Sequence, residues 1–185
     1  SNLTRLLGDV LDLSKVEAGV IALEETPFDP GRMLDDIKAA FADTRAQGGI
    51  NLSVERGESV PGKVMGDGDR LRQILSNLVG NALKHTPGGE VSVSLYRLPD
   101  PGPQLHRLLC VVSDTGQGIP LEVLEQMFEP FTQGDSSLTR RSQGAGLGLH
   151  IVKRLVDIMG GTLAVDTEEG QGVSVYVSLP FGRAK

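Results

Sequence analysis

The stretch DRLRQILSNLVGNALKHT, residues 69–86, decides how the rest of the chain is read. Leu71, Ile74, Leu75, Leu78, Val79, Ala82 and Leu83 recur at i, i+3, i+4 and i+7, the stripe of a helix that lies on a core. The spacing predicts a helix from Asp67 to His85, stopped by Pro87-Gly88-Gly89. A second, polar stripe runs beside the first: Gln73, Asn77, Asn81 and Lys84. Asparagine is a mediocre helix former, so two of them four apart in mid-helix call for a reason. A solvated polar face is one. The other is a hard-cation site, in which Asn oxygens ligate Mg²⁺ already held by phosphates and Lys84 meets those phosphates a turn later.

Working outward, Leu108 to Ser113 reads as an apolar strand, followed at once by DTGQGIP (114–120). Asp114 falls at the strand end, where open α/β sheets place ligand groups, and Gly116 and Gly118 let the backbone turn tightly. A capped glycine turn explains the segment equally well; the sharper reading makes Asp114 the acceptor for an exocyclic amine such as that of adenine. GAGLGL (144–149) precedes an apolar helix predicted over Leu147 to Met159, and its free N–H groups form an anion cradle. A polar loop precedes it and no lysine-serine or lysine-threonine follows, which separates it from the dinucleotide fingerprint and the Walker loop. Arg140 and Arg141 stand just before it, and Phe128 and Phe131 of FEPF (128–131) open an aperiodic stretch to Gly146.

The remaining elements alternate. A helix covers residues 1–19; 20–26 reads as a short strand; a helix capped by Asp29 runs to Gly48-Gly49; strands follow at 50–55 and near Val64. Val91 to Leu98 is the strand before the proline-rich loop PDPGPQ (99–104), Pro120 to Met127 is a short helix, and Thr162–Thr167 and Val173–Leu179 form a closing pair. The order predicts an α/β fold, a mixed sheet with helices on one face.

Composition bounds the function. The 185 residues hold 18 basic and 24 acidic side chains, a net charge of −6, which argues against a nucleic-acid partner bound by phosphate neutralisation. Glycine, at 24 residues, is nearly twice the usual ~7%. The single cysteine, Cys110, excludes an internal disulfide framework and reads as a small buried hydrophobe. No apolar run reaches the ~18 residues of a membrane-spanning helix and no signal-peptide pattern opens the chain. His85, His106 and His150 show no metal-ligand spacing and neighbour no nucleophile.

In order and spacing these motifs resemble the N, G1, F and G2 boxes of two-component sensor histidine kinases. LDLSKVEAG (11–19) resembles the end of the second helix of that family's dimerisation and phosphotransfer domain, and QGDSSLTRR (133–141) resembles the lid of the hybrid subgroup. The resemblance implies a Bergerat ATP-binding fold over residues 20–185, a two-layer sandwich of mixed sheet and about three helices preceded by the dimerisation helix end at 1–19. It implies ATP and Mg²⁺ as cofactors, with Asn81 as the metal ligand and Asn77 its companion. Lys84 would contact phosphate, Asp114 would take the adenine amine, and Gly116, Gly118 and Ile119 would shape the adenine pocket. His85 takes the place of an aromatic beside the nucleotide. Phe131 and Arg140 belong to the lid side, while Gly144, Ala145, Gly146, Leu147, Gly148 and Leu149 cradle the phosphates. The phosphoacceptor motif is absent, so the acceptor histidine is expected upstream of Ser1 and this fragment is expected to bind Mg·ATP without phosphorylating itself on histidine. Expected partners are the upstream phosphotransfer domain, a response-regulator receiver domain and a second copy in the intact protein; the domain is expected to be cytoplasmic, in a protein compatible with anchoring in the inner membrane. A kinase-like regulatory module with little or no turnover is the alternative from another class, and a chaperone- or topoisomerase-type ATPase fits less well because of the SKVEAG helix end.

Overall fold

The computed structural model describes residues 22–120 and 146–184. The expectations for residues 1–19, for the helix at 120–127, for the FEPF segment and for the lid fall outside the described residues.

Strand β1 is Thr26–Phe28, shifted from the 20–26 expected. Residues 22–25 lead into it without strand pairing, because β1 exists only where it meets β3 (Val64–Gly66), with Thr26 opposite Gly66 and Phe28 opposite Val64. Helix α1, Pro30–Ala40, starts where Asp29 Oδ1 accepts the N–H groups of Gly31 (2.8 Å) and Arg32 (3.1 Å), with proline at its first position. The single helix expected to Gly48 is two. Phe41 caps α1, its N–H returning to the Ile37 carbonyl at 3.3 Å, and α2 (Ala42–Gly48) restarts the turn before β2 (Ile50–Arg56).

Helix α3, Gly68–His85, follows the apolar stripe as expected, with all seven stripe residues buried. Its cap has a double role. Asp67 Oδ1 accepts the Arg70 N–H at 2.9 Å, while Oδ2 accepts the N–H of Glu24, in the segment before β1, at 3.1 Å. Gly68 sits beneath the Phe28 ring, which meets Phe181 edge-on at 5.4 Å. Strands β4 (Gly89–Leu98) and β5 (Leu105–Asp114) flank the proline-rich loop; α4 (Gly146–Ile158), β6 (Thr162–Glu168) and β7 (Gly172–Arg183) complete the described elements.

The sheet runs β1-β3-β7-β5-β4-β2, with β6 also paired to β7. Of the paired strands only β2 and β4 are parallel, so the sheet is mixed. Alternate residues of β4 and β5 (Val91, Val93, Leu95; Leu108, Cys110, Val112) turn inward against Leu71, Ile74, Leu75 and Leu78 of α3 and Ile151, Val152, Leu155 and Val156 of α4 in one continuous core. Helices α3 and α4 pack on each other as well as on the sheet. The layers place the C-terminal end of α3, the end of β5 and the start of α4 as candidate site elements.

Candidate functional site

The amide-bearing side of α3 is half-buried at Asn77 and Asn81, one turn apart. The side-chain nitrogens of both are fully enclosed yet make no hydrogen bond among the described residues. A buried amide left without a partner costs about 1–3 kcal/mol, so two on one helix face mark a place made for something polar. A carboxamide can present either its oxygen or its nitrogen by turning over, which lets the pair meet a cation or phosphate oxygens. Lys84, one helical step on, is exposed and free to swing.

At the end of β5 Asp114 is half-buried, and its Oδ1 accepts the Gly116 N–H at 2.8 Å, leaving its second oxygen as an acceptor for a ligand. Gly116 is buried against the end of α3: a Cβ there would stand 2.5 Å from the His85 carbonyl and 2.9 Å from Thr86 Oγ1. No side chain fits, and the loop carrying Asp114 is thereby held against the helix carrying the asparagines. His85 lies between the two groups. Partial desolvation, and then the nearby Lys84 charge, lower its pKa; the Asp114 charge opposes them.

The loop's far side rests on the β6–β7 turn. Ile119 N–H donates to Thr167 Oγ1 at 2.9 Å, and Gly170 N–H donates to the Gln117 carbonyl at 2.7 Å. Gly118 has φ +72° and lies against the Glu168 carbonyl. The turn at Glu168-Glu169-Gly170 is readable in the sequence, but its contact with the loop and the part of Thr167 in it were missed, since no period or motif marks them. Thr86 was missed too; it is fully buried and its hydroxyl makes no hydrogen bond among the described residues.

Of the residues expected to cradle phosphate, Gly146 opens α4, Leu147 and Gly148 lie in its first turn, and Leu149 is buried in the core. Phe131, Arg140, Gly144 and Ala145 lie outside the described residues. Among the described residues no group of three His, Cys, Asp or Glu side chains forms a metal cage. A hard cation carried in by phosphate oxygens would find here the two carboxamides, whose oxygens could ligate it once turned and whose enclosed nitrogens, as they stand, could donate to phosphate.

An open mixed sheet with its helices on one side, buried carboxamides on one helix and a glycine-braced acid at a strand end define an α/β nucleotide-handling domain. The chain belongs to the histidine kinase-, DNA gyrase B-, and HSP90-like ATPase family, which matches residues 66–183. The signal transduction histidine-protein kinase BarA of Escherichia coli K12 is 37% identical over 179 residues, covering 97% of this chain and 19% of BarA. The sensor protein GacS of Pseudomonas syringae pv. syringae is 37% identical over 184 residues, covering 100% of this chain and 20% of GacS. The chain thus spans about a fifth of the curated relatives it matches. Among solved structures, full-length ShkA in complex with AMPPNP superposes with TM-score 0.83 at 34% identity, over 99% of this chain and 36% of that one. The catalytic domain of the histidine kinase ThkA gives 0.62 at 26% identity, over 85% of this chain and 95% of that one.

Proposed function

We propose that this chain is the ATP-binding catalytic domain of a two-component sensor histidine kinase, which binds Mg·ATP and presents the γ-phosphoryl group to a histidine outside these residues. The observation that carries the reading is the pair of enclosed, unpartnered carboxamides at Asn77 and Asn81, set one turn apart on α3. Asn81, with Asn77 behind it, holds the metal; Lys84 neutralises phosphate; Asp114 accepts the adenine amine; Gly116, Gly118 and Ile119 shape the base pocket beside His85. Gly144 to Leu149 supply backbone N–H groups to the phosphates, with Phe131 and Arg140 on the side that closes over them. Bound Mg²⁺ supplies charge neutralisation on the phosphoryl oxygens. The chain's own part is positioning, and exclusion of purines that lack an amino donor facing Asp114.

The relatives' names, a signal transduction histidine-protein kinase and a sensor protein, support a kinase that acts in signalling. We infer an upstream dimerisation and phosphotransfer domain, including residues 1–19, a receiver domain as phosphoryl acceptor, a homodimer in the intact protein, and a cytoplasmic position in a protein anchored at the inner membrane. Among the described residues no helix is long and apolar enough to cross a membrane.

The test is a melt with and without nucleotide. At 100 times its dissociation constant Mg·ATP adds ~2.7 kcal/mol, a rise of about 5–10 °C for a domain of this size. Asn81→Ala is expected to abolish that rise while leaving the nucleotide-free melt within ~1 kcal/mol of wild type, because the amide it removes has no partner to lose. No rise for the wild-type chain overturns the reading and favours a regulatory module that works by protein contact. In a longer chain carrying the acceptor histidine, Asn81→Ala is expected to abolish phosphorylation.

A further inference from the structure

The short loop from Asp114 to Ile119 is fastened to the β6–β7 turn along its whole length. At its start, Gly172 (φ +102°) lies so close to the Asp114 carbonyl that a Cβ would collide with it. In the middle, Gly170 N–H donates to the Gln117 carbonyl at 2.7 Å, and Gly118 lies flush on the Glu168 carbonyl. At its end one side chain closes the arrangement. Thr167 Oγ1 accepts the Ile119 N–H at 2.9 Å and lies 3.1 Å from the Ile119 carbonyl and 3.3 Å from the Gly172 carbonyl. Its single proton goes to one of those two oxygens, so the hydroxyl ties Ile119 to the turn as both donor and acceptor.

Thr167 supplies the one side chain in this set of contacts; the others are backbone groups, two of them at Gly118 and Gly172, where a Cβ would collide. The threonine is half-buried, so removing the hydroxyl strands the Ile119 N–H, which has no other hydrogen-bond partner among the described residues. Elsewhere the loop bears on the end of α3 through Gly116, against His85 and Thr86, and is tied to β4 through Thr115, whose N–H donates to the Glu90 carbonyl at 3.1 Å and whose Oγ1 accepts the Glu90 N–H at 3.0 Å. Asp114 depends on all of these. Its Oδ1 is set by the Gly116 N–H, so a shift of the loop redirects the carboxylate.

We propose that Thr167 is a positioning residue and a determinant of base specificity. Through Ile119 it holds the loop so that Asp114 keeps the direction in which it selects a purine bearing an amino donor. This rests on the reading of Asp114 as acceptor of the base's amino group, and the experiment separates the two.

Dissociation constants are measured for Mg·ATP and for the Mg complex of purine riboside 5′-triphosphate, which has hydrogen in place of the 6-amino group. The proteins are the wild-type chain, Thr167→Val, Thr167→Ser and Asp114→Asn. A hydrogen bond to a carboxylate is worth roughly tenfold or more, so wild type prefers ATP by at least about that factor. Thr167→Val is expected to bring the ratio to within about threefold of one, with purine riboside triphosphate bound within about twofold of wild type, because only the amino-group contact is lost. Thr167→Ser, which keeps the hydroxyl, restores the wild-type ratio. Thr167→Val with a wild-type ratio, or with both nucleotides weakened equally, overturns the proposal. If Thr167→Val does not fold, Thr167→Ala is measured in its place; failure of both to fold makes Thr167 a folding residue and overturns it as well. An Asp114→Asn ratio equal to wild type overturns the base reading and this proposal with it. A collapsed ratio in Asp114→Asn beside an intact one in Thr167→Val overturns this proposal alone.

Discussion

The Gly116 N–H donates to Asp114 Oδ1 at 2.8 Å, so the acid at the end of β5 is oriented by the backbone of the loop it begins. That loop bears on the end of α3, where the unpartnered amides lie about one and two turns back. Acid and amides are thus held by one piece of structure, and the position of one constrains the other.

Gly116→Ala tests the contact directly. Its Cβ would stand 2.5 Å from the His85 backbone carbonyl, which cannot yield without moving the loop, and 2.9 Å from the Asp114 side-chain Oδ1. We expect a loss of about 1–3 kcal/mol, seen as a lower denaturant midpoint at unchanged m-value. Affinity for ATP is expected to fall with it. A stability equal to wild type would show that the loop does not bear on α3.

His85 is expected to titrate below its ordinary 6.5, since desolvation and then Lys84 disfavour the imidazolium more than Asp114 favours it. The folded value lies under the unfolded one. The stability contributed by the neutral ring is therefore intact above 6.5 and is lost as pH falls through 6.5 toward the folded value. An NMR titration reads the midpoint. Lys84→Met is expected to raise it and Asp114→Asn to lower it; movement in the opposite directions would refute the arrangement.

At the opposite end of β5 a second cluster fastens the chain's last strand. Asp100 accepts Arg97 Nη2 at 2.6 Å and Arg183 Nη2 at 2.9 Å, with His106 Nδ1 at 3.4 Å. The hydrogen bond from Arg97 above all, against some desolvation, holds the Asp100 carboxyl well below its usual 3.8. A depressed folded value means stability present above 3.8 and lost as pH falls through the folded one. Asp100→Asn is expected to flatten the acid limb of the stability curve below pH 3.8 in denaturant melts, with little change near neutrality beyond the weakening of an exposed pair.

Cys110 is buried in β5, and burial pushes its thiol up to about 12. In the native chain it is expected to resist thiol reagents at pH 8, with labelling that follows global unfolding as denaturant is added. Rapid native labelling would contradict the packing of β5 on α3.

Helix α3 was legible because two features agreed, an apolar stripe and a proline-glycine stop; that Asp67 caps it needed the fold. The strands of the central sheet were legible from alternation, within a few residues at each end. Three things were not. The break at Phe41 has no breaker residue and follows from an α1 C-cap formed in three dimensions. β1 takes its place from pairing with β3 across the 35 residues between Phe28 and Val64, not from its own sequence. The Thr167 clasp joins positions 48 apart through one hydroxyl, which no period records. The asparagine pair was visible as an oddity in the sequence; that its amides are enclosed and unpartnered needed the fold.

One carboxylate, that of Asp67, closes the first turn of α3 with one oxygen and fastens Glu24 with the other. The segment arriving from residues 1–21 is therefore tethered to the head of an 18-residue rod whose later turns hold Asn77, Asn81 and Lys84. A pull on that tether loads the same carboxylate whose other oxygen holds the Arg70 N–H. Traction on Glu24 would thus be felt at the head of the helix, whose amide face lies some 15–20 Å further along by the rise of ~1.5 Å per residue.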